Sequence, residues 1–240
     1  VVLLHGLYQG LGHLEEITFP SSKRAVIIDM LGYGSHAHAM TPETLEAQAD
    51  HVVGEMDRLG ISKAAILGHS VGGAVAMLLA ARHPGRVEAV VNVEGNVTLA
   101  DAFWSSKVAA MSRPDAEALL EGFRSDVPGW ISGQKMEPTA QRVAWARRMF
   151  DAQPASSVQA LARAVVTATS SPGYLPMFEG VLDSGIPVHL MAGERSRSGW
   201  TAPEAFLRRA ASFTVQPRVG HMMPLEDPEA FLSLVASRVG

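Results

Sequence analysis

Gly68-His69-Ser70-Val71-Gly72-Gly73 stands between a strand-like run, Lys63-Ala64-Ala65-Ile66-Leu67, and a small-residue helical run, Ala74-Val75-Ala76-Met77-Leu78-Leu79-Ala80-Ala81. The order strand, G-x-S-x-G, helix is the pattern of a nucleophile elbow. A serine on so sharp a turn must take up a strained backbone conformation, and a Cβ at position 68 or 72 would crowd it. The turn leaves a hydroxyl clear of the sheet, beside N–H groups at a helix N-terminus that can stabilise a developing oxyanion. G-x-S-x-G is short enough to arise by chance, so its meaning depends on the chain around it.

Working outward, apolar runs recur at Val1-Val2-Leu3-Leu4, Ala25-Val26-Ile27-Ile28, Val87–Val93, Ile186–Gly193 and Ala211–Gln216. Runs of this length read as strands of a parallel sheet covered on both faces. Between them lie helical segments: a short one over Leu11–Phe19, one opened by Thr41-Pro42-Glu43 and stopped at Gly60, and the elbow helix, which ends before Pro84-Gly85. Threonine as cap, proline in the first turn and glutamate near the positive end of the dipole make a good helix start. Alternating strands and helices with short connections predict right-handed crossovers and an α/β fold with a doubly wound, mostly parallel sheet. In such a sheet the functional crevice lies outside the carboxyl ends of the strands, where His5-Gly6, Asp29, Ser70 and Glu94 all fall.

From Val97 to Ser184 the strand pattern disappears, and five helices are predicted, over Asp101–Met111, Pro114–Phe123, Thr139–Ala152, Ser156–Thr169 and Tyr174–Leu182. The chain therefore divides into a first part of a sheet domain (1–96), a helical insertion (97–184) and a second part of the sheet domain (185–240). Three of the four tryptophans lie in the insertion. Most of its aromatic residues are expected to form the insertion's own core, and some to line a pocket above the sheet. Trp104 and Trp130, with Tyr8, Met30 and Met222, are the pocket candidates.

Composition narrows the function. A net charge of −4 with no block of like charges offers no footprint for a nucleic acid. The absence of cysteine removes thiolate chemistry and cysteine metal sites. No apolar run approaches the ~20 residues that span a bilayer. The chain begins at Val1 inside what reads as a central strand, so its N-terminus is expected to be incomplete; with no signal peptide visible, the expected compartment is the cytoplasm. His36-Ala37-His38 has no third ligand close in sequence and reads as solvated or at a pocket rim rather than as a metal site. His189 sits within a strand and reads as structural. Arg195 and Arg197 are open to two readings, contact with an anionic substrate or ordinary surface arginines.

An elbow serine needs a base, and the base needs a group that holds its tautomer. Of the nine histidines, His221 is best placed, in a loop just after the last strand. Taken together, these features resemble the α/β-hydrolase superfamily from end to end. His5-Gly6-Leu7 resembles its HG-x oxyanion loop, and Asp29-Met30-Leu31-Gly32-Tyr33-Gly34-Ser35 its D-x-x-G-x-G-x-S turn, with Leu31 where proline is usual. Gly68–Gly72 matches the elbow, and Gly220-His221 with Pro224, Glu226 and Pro228 matches the histidine loop. The family's usual pair of strands ahead of the HG strand has no counterpart here.

The resemblance implies that 97–184 is a cap and that the backbone N–H groups of Leu7 and Val71 form the oxyanion hole. His69 is expected to shape the turn rather than to act in chemistry. Relatives usually carry the triad acid three residues past the glycine that ends the strand corresponding to Ile186–Gly193, and that position is Ser196. Some place it one strand earlier, which points to Glu94, with Glu194 and Asp183 as alternatives. The expected function is a serine hydrolase with Ser70, His221 and Glu94 as its triad, acting without a cofactor on a small, fairly apolar carboxylic ester. Serine at the elbow argues against the dehalogenase and epoxide-hydrolase branches, which use a carboxylate nucleophile. Lactone hydrolysis, carbon–carbon bond hydrolysis and acyl transfer use the same triad, and non-catalytic ligand receptors share the fold.

Overall fold

Six strands, β1 (Val2–Leu4), β2 (Val26–Ile27), β3 (Ala64–His69), β4 (Val87–Val93), β5 (Val188–Gly193) and β6 (Ser212–Gln216), form one sheet in the computed structural model, which describes residues 1–8, 10–40 and 44–240. The order is β2-β1-β3-β4-β5-β6 and every neighbouring pair is parallel. Successive residues of a strand point to opposite faces, and the apolar runs divide accordingly. Val2, Leu4, Ile66, Val90 and Leu190 enter one core, and Leu3, Leu67, Val91 and Met191 the other. The expected double coverage of the sheet follows from this division.

The first core is covered by α1 (Leu45–Arg58) and α2 (Val71–Arg82), together with helices from the insertion. The helix start expected at Thr41-Pro42-Glu43 lies outside the described residues. Within them, α1 is capped by Thr44, whose Oγ1 accepts from Ala47 N at 3.3 Å. The segment over Leu11–Phe19 forms only a 3-10 helix, Gly12–Glu16, and β2 is shorter than its apolar run because it pairs on one side only, with the three-residue β1.

Between β4 and β5 come α3 (Phe103–Ala109), α4 (Arg113–Ser125), α5 (Val127–Gly133), α6 (Ala140–Asp151), α7 (Ala155–Ser170) and α8 (Tyr174–Asp183). Five of these match the predicted segments, and α5 is an addition. Its seven residues include Pro128, Gly129 and Gly133, which hide any apolar period, and it forms because the Asp126 side chain caps it by accepting from Gly129 N at 2.9 Å. After β5 the chain forms α9 (Glu204–Arg209), β6, the short α10 (Met223–Glu226) and α11 (Pro228–Val239). Phe231, Leu232, Val235 and Val239 of α11 cover the second core.

The strand order reverses between β1 and β3, since β2 lies outside β1 while β4 to β6 continue beyond β3. A crevice opens at such a switch point because the loops leaving the two strands diverge. The loop after β1 carries His5 to Tyr8, and the loop after β3 carries Ser70. Among the described residues no helix is long and apolar enough to cross a membrane.

Candidate active site

Ser70 joins β3 to α2 with φ 55° and ψ −121°, a conformation costly for a residue with a side chain. Its N–H donates to Val93 O at 2.9 Å, and its carbonyl accepts from Gly73 N at 2.8 Å. Glycines permit the turn. A Cβ on Gly68 would lie 2.0 Å from Gly72 O, and one on Gly72 would lie 2.6 Å from the carbonyl oxygens of Leu4 and His5. The bare Gly72 therefore lets the first turn of α2 sit against the end of β1, next to the loop that holds Leu7.

That loop is fixed from behind. The fully buried His5 donates from Nδ1 to Gly6 O at 2.9 Å and accepts at Nε2 from Met30 N at 3.2 Å. Both ring nitrogens are thus used by a neutral imidazole, and burial holds its pKa below the ordinary value. Tyr33 Oη donates to Leu7 O at 3.0 Å. The carbonyl of Leu7 is thereby occupied, whereas neither Leu7 N nor Val71 N donates to another group among the described residues. Two uncommitted amide donors flank Ser70, one from each side of the switch point.

His221 follows β6 in a loop held by several contacts. Gly220 N donates to Glu226 Oε2 at 2.9 Å, and Arg195 grips the same carboxylate through both terminal nitrogens at 2.8 Å. His69 Nε2 donates to the carbonyl of His221 at 2.7 Å, and the two rings lie 4.7 Å apart. His69 is completely buried, and burial with the adjacent His221 holds it well below the usual histidine range, so it stays neutral.

The acid side is equally specific. Glu94 directly follows β4 with φ 43° and is 5% exposed. Its Oε2 accepts from His221 Nδ1 at 2.5 Å, while Oε1 accepts from Gly193 N at 2.9 Å and Ser196 Oγ at 2.6 Å. Burial pushes this carboxyl up. The bonds and charge interaction with His221, then the Ser196 hydroxyl and the Gly193 amide, outweigh it and hold the group below its ordinary value. The bond at Nδ1 makes Nε2 the ring atom available for a proton from Ser70. Ser196, at the position where the resemblance leads one to look for a carboxylate, acts instead as a donor to a carboxylate from the neighbouring strand.

The alternative acids lie elsewhere. Glu194 is exposed and accepts from Arg218 N at 2.7 Å, and Asp183 pairs with Arg209 at the end of α8. A cavity of about 470 Å³ opens above Ser70 and brings together Leu7, Tyr8, Glu94, Trp104, Trp130, His221 and Met222 from the candidate set. Val71, next to Ser70, is 1% exposed and is not among the lining residues. Met30 does not line the cavity. That side chain is fully buried in the first core, and its N–H is held by the buried His5 ring.

Sequence reasoning missed the wall around Asn96, Asp101 and Trp200. Asp101 accepts from Val97 N, Thr98 N and Thr201 N, and Trp200 Nε1 donates to Gly95 O at 2.9 Å. These contacts join segments about a hundred residues apart, and the T-x-x-D spacing of Thr98 and Asp101, a capping box, is the local signal that marks one end. Of the remaining candidates, His36 Nε2 lies 3.9 Å from Glu55, His38 is exposed, and His189 Nδ1 bonds Ser212 Oγ at 2.9 Å. Arg197 lies over Phe213. No cluster of three or more metal-ligating side chains occurs among the described residues.

Known proteins share the family and the fold. The profile described as "Alpha/beta hydrolase family" matches residues 1–234. A 2-hydroxymuconate semialdehyde hydrolase of Pseudomonas sp. (strain CF600) is 42% identical over 71 residues, which is 29% of this chain and 25% of that one. The sn-1-specific diacylglycerol lipase ABHD11 of Danio rerio is 29% identical over 119 residues, 46% of this chain and 37% of its own. The matches span 25% to 37% of the length of these curated relatives. Among solved structures, an enol-lactonase from Burkholderia xenovorans LB400 superposes with a TM-score of 0.69 at 20% identity, covering 98% of this chain and 89% of that one. A thermophilic esterase from Thermogutta terrifontis gives 0.68 at 22% identity, covering 98% and 87%. With a family match running almost from end to end over a fold of the same kind, this chain belongs to the alpha/beta hydrolase family.

Proposed function

We propose that this protein is a hydrolase that cleaves carboxylic esters through an acyl-enzyme on Ser70. The observation that carries the reading is the Glu94–His221 pair at 2.5 Å, opening on the same cavity as Ser70. His221 Nε2 takes the Ser70 proton as Oγ attacks the ester carbonyl. The carbonyl π electrons move onto oxygen, and the Leu7 and Val71 N–H groups hold that oxyanion. Glu94, fixed by Gly193 and Ser196, stabilises the imidazolium and keeps Nδ1 protonated. The tetrahedral species collapses with loss of the alcohol, which receives its proton from Nε2. Water, deprotonated by His221, then releases the acid by the same steps in reverse order. No step calls for a cofactor.

In this reading 1–96 and 185–240 supply the reacting groups and 97–184 acts as a cap that closes the substrate volume. A fluorophosphonate probe tests the nucleophile. It is expected to label the wild-type protein and not Ser70→Ala, with p-nitrophenyl acetate turnover lost in parallel. Absence of labelling in both would favour a non-catalytic ligand-binding protein.

A further inference from the structure

We propose that the substrate of this site is an ester bearing a neutral aromatic ring. The inference rests on the ester hydrolysis proposed for Ser70 and concerns what fills the volume above it. The cavity of about 470 Å³ is walled by Tyr8, Phe103, Trp104, Phe123, Trp130 and Trp200. They come from separate places in the chain: the loop after β1, helices α3, α4 and α5, and the loop before α9. The aliphatic side chains on the wall are only Leu7 and Met222 among the described residues. A pocket shaped for a linear acyl chain needs flexible aliphatic walls, whereas this one is built from flat, rigid surfaces.

The rings are already arranged as aromatic groups arrange themselves. Tyr8 meets Phe123 edge-on at 5.5 Å and 81°, and Trp104 at 6.3 Å and 90°. Trp130 stands 6.3 Å from Phe123. An incoming ring extends this cluster, and each such pair contributes beyond the area it buries because ring edges and faces carry opposite partial charge. Phe103 and Trp104 remain 62% and 41% exposed although both line the cavity. Large apolar surface of this kind at the rim of a pocket marks a place where a ligand is received.

Charge decides the substituent. Arg195 is the only lysine or arginine among the lining residues, and its terminal nitrogens are committed to Glu226 and to the carbonyls of Arg218 and Lys135. The wall also carries the carboxylates of Glu94 and Asp101. A ligand carboxylate would meet two negative charges and no uncommitted positive one, at a desolvation cost with nothing to offset it. Lys107 does not line the cavity; its ammonium lies 5.0 Å from the centre of the Trp104 ring, a cation–π contact.

The test uses ethyl 3-phenylpropanoate, ethyl 3-cyclohexylpropanoate and ethyl 3-(4-carboxyphenyl)propanoate with the wild-type chain. The cyclohexyl compound matches the phenyl compound in shape and is more apolar, so it separates ring contacts from burial alone. A preference in kcat/KM of about three- to tenfold for phenyl over cyclohexyl is expected, with the carboxylated ester the poorest of the three. Tyr8→Leu and Trp130→Leu should each reduce the phenyl preference. Trp104→Leu, at a partly exposed position, serves if either of those fails to fold. Equal or better turnover of the cyclohexyl ester, or a preference for the carboxylated one, overturns the proposal. Failure of the ester reading itself would show as no turnover of any ester, p-nitrophenyl acetate included, and no fluorophosphonate labelling. In that event tryptophan-fluorescence titration of the Ser70→Ala chain still decides the ring preference. Tighter binding of 3-phenylpropan-1-ol than of 3-cyclohexylpropan-1-ol supports it, and equal or weaker binding overturns it.

Discussion

Replacing Glu94 by glutamine changes one oxygen to an amide nitrogen in a side chain whose surroundings dictate which way it must turn. Oε1 receives two donors, Gly193 N and Ser196 Oγ, whereas Oε2 receives one, His221 Nδ1. The glutamine oxygen therefore stays with the pair, and its NH₂ faces His221. An amide donor opposite Nδ1 forces that nitrogen to accept, so the imidazole proton moves to Nε2 and the ring can no longer take a proton from Ser70. The shape of the site is retained while its tautomer is wrong. Loss of this kind costs ~10⁴-fold in kcat, or about 5.4 kcal/mol of transition-state stabilisation.

The assay is steady-state hydrolysis of p-nitrophenyl acetate by Glu94→Gln, with KM and thermal midpoint measured alongside. KM within a few-fold of wild type and a retained cooperative transition would show that the loss lies in chemistry and not in folding. Glu194→Gln is the control, since that carboxylate is exposed and turned toward Arg218. Glu94→Gln within tenfold of wild type, with Glu194→Gln falling by orders of magnitude, would refute the assignment of the acid.

Two further expectations concern the buried histidines. His69→Phe keeps a ring but removes the donor to His221 O, so the base shifts relative to Ser70; kcat should fall about a hundredfold with KM little changed, and His69→Gln, which retains an N–H donor, should recover part of it. Near-normal kcat in the phenylalanine variant would show that His221 needs no such anchor. His5, His13 and His69 are buried, which lowers each below 6.5, so below that pH the unfolded chain binds protons that the folded chain refuses. Stability should therefore decline as pH falls from 6.5, by up to about 1.4 kcal/mol per pH unit for each histidine. Glu94, whose folded value is depressed, adds a further loss only below its ordinary 4.5. Urea midpoints at several pH values check this, and a flat profile between pH 7 and 5 would contradict it.

The parts of this molecule that are legible in its sequence are those whose chemistry is local. Gly68 to Gly72 announce the elbow because the residues that clash are neighbours in the chain, and the apolar runs announce the sheet because burial on two faces needs no distant information. Contacts across long separations are not written locally. Nothing near Ser196 shows that its hydroxyl supports Glu94, and nothing near Arg195 shows that both its nitrogens are taken by Glu226. Met30 looks like a pocket residue because it follows Asp29 at a strand end, yet its direction is decided by the His5 ring, which accepts from its N–H. Helix α5 is not legible in the sequence because proline and glycine, ordinarily breakers, sit in its first turn, where they are tolerated.

Gly95 and Asn96 are the whole of the link between Glu94 and the helical insertion, and each has its carbonyl tied down. Trp200 holds Gly95 O at 2.9 Å, and Tyr174 of α8 holds Asn96 O at 2.7 Å. The root of the insertion is therefore clamped twice, by its own last helix and by the loop before α9, and the insertion cannot swing about that root without dragging the peptide that aims the carboxylate.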